Sequence, residues 1–214
     1  EPCSPMASTT PLPFLSLLFF LSLLLFFLSP SSAQRRPKGL VLPVAKDAAT
    51  LQYVARLHQR TPLVPVRAVL HLGGGFLWVD CDRGYASSTY RPVRCRSAQC
   101  AAARSNACGD CSAGPRPGCN NNTCGVFPEN PFIHTSTSGE LAEDVLSLPS
   151  TDGSNPGRPA VVPDLAFGCG PTFLLRGLAR GALGGAGSGC RPSSPRRSAS
   201  AGDLWRSPLS LSLS

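Results

Sequence analysis

The residues best able to do chemistry lie together in Val69 to Asp82, which read VLHLGGGFLWVDCD. An apolar strand ends in His71, the chain turns through Gly73, Gly74 and Gly75, and a second apolar strand closes on Asp80, Cys81 and Asp82. An imidazole at a strand end can exchange a proton near neutral pH. Glycines in the turn let a ligand chain approach the backbone. Base chemistry at His71 is therefore one candidate, while Asp80 and Asp82 come only after the second strand, near Cys81. The other histidines offer less, since His58 falls on the polar phase of a strand and His134 in a loop, both solvated. No G-x-S-x-G turn is present to carry a Ser-His-Asp nucleophile. Cys108 and Cys111 have C-x-x-C spacing, but no second C-x-x-C or His pair follows at zinc-site distance, so neither a metal nor another cofactor is expected.

Short strands must position these groups. The chain has 22 Pro and 21 Gly among 214 residues, a composition of turns rather than long helices. Leu40 to Ala45 reads as a first strand. Thr50 to Arg60 follows with Leu51, Tyr53, Ala55 and Leu57 on an alternating, half-buried phase, and RTPLVPVRAVL leads straight into the His71 turn. Leu141, Asp144, Val145 and Leu148 after Gly139 predict a hairpin with its far turn at Pro149 to Gly153, and Val161 to Cys169 a strand ending at Cys169. GLARGALGGAG, 177–187, is too glycine-rich for a helix. Without a βαβ pattern or an acidic partner, its glycines do not make a dinucleotide site.

Between Tyr85 and Gly125 the texture changes. Cys95, Cys100, Cys108, Cys111, Cys119 and Cys124 stand among few large apolar residues, so cross-links substitute for packing. Six cysteines allow about 15 pairings, and spacing does not choose among them. Asn121, Asn122 and Thr123 form an N-x-T glycosylation acceptor in this polar stretch.

The ends differ again. Glu1 to Pro5 precede Met6 and read as upstream translation, so Cys3 is left out of the disulfide count. Phe14 to Leu28 is an uninterrupted apolar block apart from two serines, followed by Ser31, Ser32 and Ala33. This predicts a secretory signal peptide cleaved after Ala33, too short for a good membrane anchor. Secretion in turn predicts paired cysteines. Residues 34–187 make the folded domain, and 188–214 a Ser-, Pro- and Arg-rich tail without apolar periodicity, expected to be unstructured. Its abrupt onset and Cys190, left without a partner, also admit a truncated, non-functional product. The net charge is +8, with 20 Lys and Arg against 12 Asp and Glu. The basic residues are scattered, and aromatics are only 7% of the chain. That pattern argues against nucleic acid and for a basic surface suited to acidic polysaccharide or wall material.

Several segments together resemble one family: TLQYVARLHQRTPLVPV, LGGGFLWVDCD, SGELAEDVLSLPSTDG, LAFGCG and LLRGLARGALGGAG. They are similar to the amino-terminal lobe of the plant xylanase-inhibitor and extracellular dermal glycoprotein group. That group is a branch of the pepsin-like aspartic peptidase superfamily and includes the basic globulins of legume seeds. The resemblance implies a mainly β, disulfide-rich single lobe of a pepsin-like fold. It places the family's Asp-Thr-Gly-like cleft turn on His71, Leu72, Gly73 and Gly74, and it pairs Cys81 with Cys169. It also likens SGELAEDVL to the peptidase flap, without the flap's Tyr.

Pepsin-like catalysis needs two carboxylates sharing one proton around a water, and at the implied position this lobe carries an imidazole. The expected function is accordingly a secreted, catalytically inactive aspartic-peptidase-like protein of the apoplast or cell wall. Its partner is a microbial glycoside hydrolase such as a xylanase, or another wall-associated protein. The alternative is a working aspartic-type endopeptidase.

Overall fold

The computed structural model describes residues 39–187, which fall within one compact unit. The signal-peptide, tail, Cys3 and Cys190 expectations lie outside the described residues. Strands dominate: β1 (Gly39–Leu40), β2 (Val44–Lys46), β3 (Tyr53–Gln59), β4 (Val64–His71), β5 (Leu77–Asp80), β6 (Arg91–Pro92), β7 (Cys108–Gly109), β8 (Thr123–Val126), β9 (Glu129–Asn130), β10 (Thr135–Ser136), β11 (Gly139–Thr151), β12 (Pro156–Gly170) and β13 (Gly184–Gly187). One short helix, α1 (Ala98–Ala102), and a 3₁₀ turn, η1 (Thr172–Leu175), complete the described elements. Among these residues no helix is long and apolar enough to cross a membrane.

The sheet order is β2-β3-β4-β13-β5-β12-β11-β8-β7, and β3 also pairs with β11 through Leu146 to Gln59 and Ser147 to His58. That second pairing closes β3, β4, β13, β5, β12 and β11 into a barrel, which leaves those strands few free edges. The barrel core holds Leu57, Val66, Val79, Leu146, Leu148 and Phe167. A separate apolar cluster on the outside joins Val54 and Val69 to Ala179 and Ala182. The long free flank of β12 carries Pro156, Pro159 and Pro163, residues with no N–H to offer another chain.

Several sequence expectations need correction. The first strand is two strands, β1 and β2, separated at Pro43, whose ring removes a ladder donor. Leu51 and Tyr53 are exposed, not core, and Leu51 sits in a turn at φ +60°. The simple alternation fails in β3 because the strand is covered on both sides, so Val54, Ala55 and Leu57 are all buried. The β11–β12 hairpin runs further than expected, with Pro149 still paired to Pro159. Its turn is tied by Asp152 Oδ1, which accepts from Ser154 N at 2.8 Å and Asn155 N at 2.9 Å. The glycine run contributes a central strand: β13 lies parallel to β4 and antiparallel to β5, passing between the two arms of the turn that bears His71.

Two buried carboxylates on β11 fasten the rest of the chain to the barrel. Asp144 accepts from Tyr85 Oη at 2.7 Å, Ser87 Oγ at 3.0 Å, Thr89 Oγ1 at 2.6 Å and Val145 N at 2.7 Å. Four residues earlier, on the same face of the strand, Glu140 accepts from Tyr90 Oη and from the backbone and side-chain nitrogens of Asn120, each at 2.8 Å. Burial and these acceptors push both tyrosine hydroxyls far above their ordinary pKa, so they remain donors. Four disulfides add covalent ties: Cys81–Cys169, Cys95–Cys108, Cys100–Cys124 and Cys111–Cys119. The two cysteines of the C-x-x-C pair thus go to different partners.

Candidate functional site

β4 delivers His71 to one end of the barrel, and the chain reverses at once, Gly74 N donating to His71 O at 3.0 Å. The returning arm is held by Gly187 N, which donates to Phe76 O at 3.0 Å, while Gly187 pairs with His71 on the other side. The approach is so close that a Cβ on Gly187 would stand 2.6 Å from Gly74 C and Phe76 O. The turn is therefore gripped on its inner side by backbone, and its outer rim is exposed. Leu72 stands on that rim, 68% exposed.

Facing His71 is a small hairpin, β9 and β10, paired through Asn130 to Thr135 and Glu129 to Ser136. Fully buried Asn130 anchors it, donating from Nδ2 to Leu174 O at 2.6 Å and Arg176 O at 2.8 Å. Glu129 leaves this anchor toward the turn, its Oε1 3.5 Å from His71 Nδ1. The side chains are 29% and 49% exposed respectively. This spacing suits an ion pair with a protonated imidazole and is long for a hydrogen bond. Phe76, Trp78, Phe127 and Glu129 surround a cavity of about 40 Å³ beside His71, room for one or two waters. Phe127 rises from its edge, 61% exposed.

The SGELAEDVL segment is not the element over this turn. Leu141, Ala142, Asp144 and Leu146 are buried in β11, so that segment is a wall of the barrel and cannot swing across a cleft. The overhanging hairpin is instead the one begun by Glu129, with Phe127 as its nearest aromatic. The sequence offered only a faint sign of it, an acid and an aromatic beside two prolines in FPENPF.

The other candidate residues are spread apart. Asp80 and Asp82 sit at the far end of β5 from the turn, where Asp80 accepts from Thr172 Oγ1 at 2.9 Å and Asp82 N at 2.9 Å. Asp82 Oδ2 accepts from Thr172 N at 3.1 Å. His58 is exposed and pairs with Pro65, six residues before His71 on β4, and His134 is exposed in the loop that joins β9 to β10. Asn121 is exposed, its Oδ1 accepting from Cys111 N at 2.9 Å, while Thr123 of the same N-x-T triplet is buried. Among the described residues no three His, Cys, Asp or Glu side chains converge as a metal site would require.

A closed β-barrel lobe with a strand threaded through its glycine turn, a facing hairpin and a Cys81–Cys169 staple defines the amino-terminal lobe of a pepsin-like fold. The chain matches the family described as xylanase inhibitor N-terminal over residues 53–213, and it belongs to that family. It is 58% identical over 170 residues to the probable aspartic proteinase GIP2 of Nicotiana benthamiana, covering 77% of this chain and 39% of that protein. Against the basic 7S globulin of Glycine max it is 44% identical over 174 residues, 79% of this chain and 41% of the globulin. It thus spans about two fifths of the length of these curated relatives. Among solved structures, edgp superposes with a TM-score of 0.69 at 65% identity, covering 71% of this chain and 37% of that one. Conglutin gamma from lupine seeds gives 0.67 at 45%, covering 71% and 40%.

Proposed function

We propose that this protein is a secreted, catalytically silent member of its family that grips a microbial glycoside hydrolase, or another wall-associated protein, at the His71 face. The observation that carries this reading is the contact at the turn, where an imidazole meets the Glu129 carboxylate at 3.5 Å. An acid-peptidase dyad shares one proton between two carboxylates and activates a water between them. An imidazole on the turn can hold a proton but cannot form that pair, and losing half of a catalytic unit costs orders of magnitude in rate. Exposed Leu72, next to His71 in the turn, and exposed Phe127, in the lining of the cavity beside His71, offer apolar contact to a partner, as interface cores require. The family membership favours a glycoside hydrolase, and Phe14 to Leu28 favours export to the apoplast or wall.

The test has two arms on the purified protein. Immobilised protein retains a fungal or bacterial xylanase and inhibits it, and Phe127→Ala together with Leu72→Ala weakens retention. If no xylanase is retained by either criterion, the partner assignment fails. In the second arm a denatured protein substrate is incubated at acid pH with and without a pepstatin-like inhibitor. Inhibitor-sensitive cleavage would establish instead the aspartic endopeptidase reading, which the name of the Nicotiana relative favours. Asn121 carries an N-glycan in this reading. Because Thr123 is buried in the fold, the acceptor is modified before folding ends, and N-glycosidase treatment of the secreted protein removes a single glycan mass that Asn121→Gln lacks.

A further inference from the structure

At the opposite end of β5 from His71 the chain forms a second hollow. It is shallow, about 400 Å³, and lined by Arg83, Thr172, Phe173, Leu175 and Arg176. Both arginines are exposed, and among the described residues neither guanidinium has a hydrogen-bond or ion-pair partner. Three arginines elsewhere are occupied: Arg60 lies over the Tyr85 ring at 4.1 Å and donates to Gly84 O at 3.0 Å, Arg67 donates to Arg180 O at 2.8 Å, and Arg91 meets Asp164; what sets Arg83 and Arg176 apart from the other exposed arginines is that they line one hollow together with an exposed aromatic ring. The nearby acids form no ion pair with either arginine; Asp80 and Asp82 accept hydrogen bonds from Thr172, and Asp80 also from Asp82 N. Those bonds instead fix the floor of the hollow. Phe173 stands within it, 42% exposed.

Two unengaged guanidiniums beside an open aromatic face suit a ligand that carries a carboxylate on a ring with an apolar C–H face. Guanidinium binds carboxylate through paired, parallel N–H donors, and the C–H face of a sugar ring can lie on a phenyl ring. An acidic peptide is the poorer fit. The wall of the hollow is η1, whose region bonds internally through Leu174 N to Pro171 O, Arg176 N to Phe173 O and Leu178 N to Leu175 O, so it presents no strand edge for a peptide backbone. We propose that this hollow binds a uronic-acid residue of an acidic polysaccharide, with Arg83 and Arg176 on the carboxylate and Phe173 under the ring. The site is separate from His71 and stands or falls independently of the reading given to that face.

The experiment titrates the full chain with trigalacturonate at about 50 mM salt, where screening leaves charge contacts intact. Two further probes are the fully methyl-esterified trimer, which keeps the rings without the charge, and triaspartate, which keeps the charge without the rings. The expected result is saturable binding of trigalacturonate alone, weakened about tenfold or more by R83Q and by R176Q. Phe173→Ala also weakens it, and R158Q, on the remote flank of β12, leaves it unchanged. Absence of saturable binding would overturn the proposal. So would equal binding of triaspartate, which would mark a merely basic surface or a peptide site, equal binding of the ester, or an equal loss in R158Q. The three-probe comparison on the unmodified protein decides the matter even where a variant folds poorly.

Discussion

Replacing Gly184 by alanine tests whether the strand through the His71 turn is the keystone of the lobe. A Cβ at this position would lie 1.9 Å from Trp78 O and 2.8 Å from Val79 Cα, both backbone atoms. Real contacts begin near about 3 Å, so the two strands must part by roughly 1 Å in a close-packed interior. No rotamer change can relieve this, because Gly184 is paired on one side with Val79 and on the other with Ala68. Overpacking of this kind costs about 1–3 kcal/mol, and each neighbouring ladder bond that is stretched or lost adds about 0.5–1.5 kcal/mol. With two such bonds the sum is about 4 kcal/mol, which lowers Tm by roughly 10 °C in a domain of this size. Urea unfolding followed by tryptophan fluorescence measures it, since buried Trp78 packs against this strand. Gly75→Ala is the control, as nothing lies within 4 Å of its added Cβ. A Gly184→Ala variant within about 0.5 kcal/mol of the parent, the usual range for a harmless surface change, would refute the account of how the turn is held.

Two further perturbations probe the carboxylates. Asp144→Ala strips the acceptor from three hydroxyls and one N–H and is expected to cost about 3–5 kcal/mol. Tyr85→Phe removes one of those bonds and costs about 1.5–3 kcal/mol; denaturant midpoints that reverse this order would contradict the hub. Glu143, half-buried beside Asp164, has its pKa raised above the ordinary 4.5, chiefly by desolvation and then by Asp164. A raised carboxyl pKa favours the fold below the unfolded value and gives that stabilisation up as pH climbs through the folded value. Glu143→Gln should therefore match the parent below about pH 4 and exceed it modestly, by under about 1 kcal/mol, at pH 7; thermal melts across that range would show the opposite trend if Arg91 dominated its surroundings.

The class of fold was legible where side chains repeat a pattern or a rare combination. LGGGFLWVDCD and LAFGCG supplied the turn, the walls of the barrel and the lobe's family in one reading. Sites whose meaning lies in backbone or in distant neighbours were not legible. GALGGAG has no side-chain period, so nothing in it announces a central strand; the 2.6 Å that would separate a Cβ on Gly187 from the turn's backbone explains why side chains are missing there. Glu140 and Asp144 look like ordinary polar positions of a hairpin, yet each is an acceptor for groups 20 to 59 residues away in sequence. Their distinguishing mark is burial, which follows from β11 being covered on both sides. The pairing of Cys95, Cys100, Cys111 and their partners depends on how the insert folds over β8, a geometry that cysteine spacing does not encode. The β9–β10 hairpin is nearly invisible in the sequence for a related reason, since two strands of two residues each are too short for periodicity to register.

The His71 turn separates what holds the lobe together from what the lobe does. Its inner side is backbone against backbone, with Gly74 and Gly187 in contact and no room for a methyl group. The His71 side chain lies at the edge of the small cavity rather than in the barrel core, 29% exposed, and its Nδ1 meets a hairpin carboxylate that is itself half exposed. A residue so placed contributes little to the core, so His71→Asp is expected to alter the available chemistry at small cost to stability. The aromatics Phe76, Trp78 and Phe127 and the facing Glu129 keep the recess shaped whichever group stands at its mouth. A lobe built in this way can lose the capacity to cut while retaining a rigid, partly apolar face with which to bind, and that separation is the physical basis of the proposal that this protein binds rather than cuts.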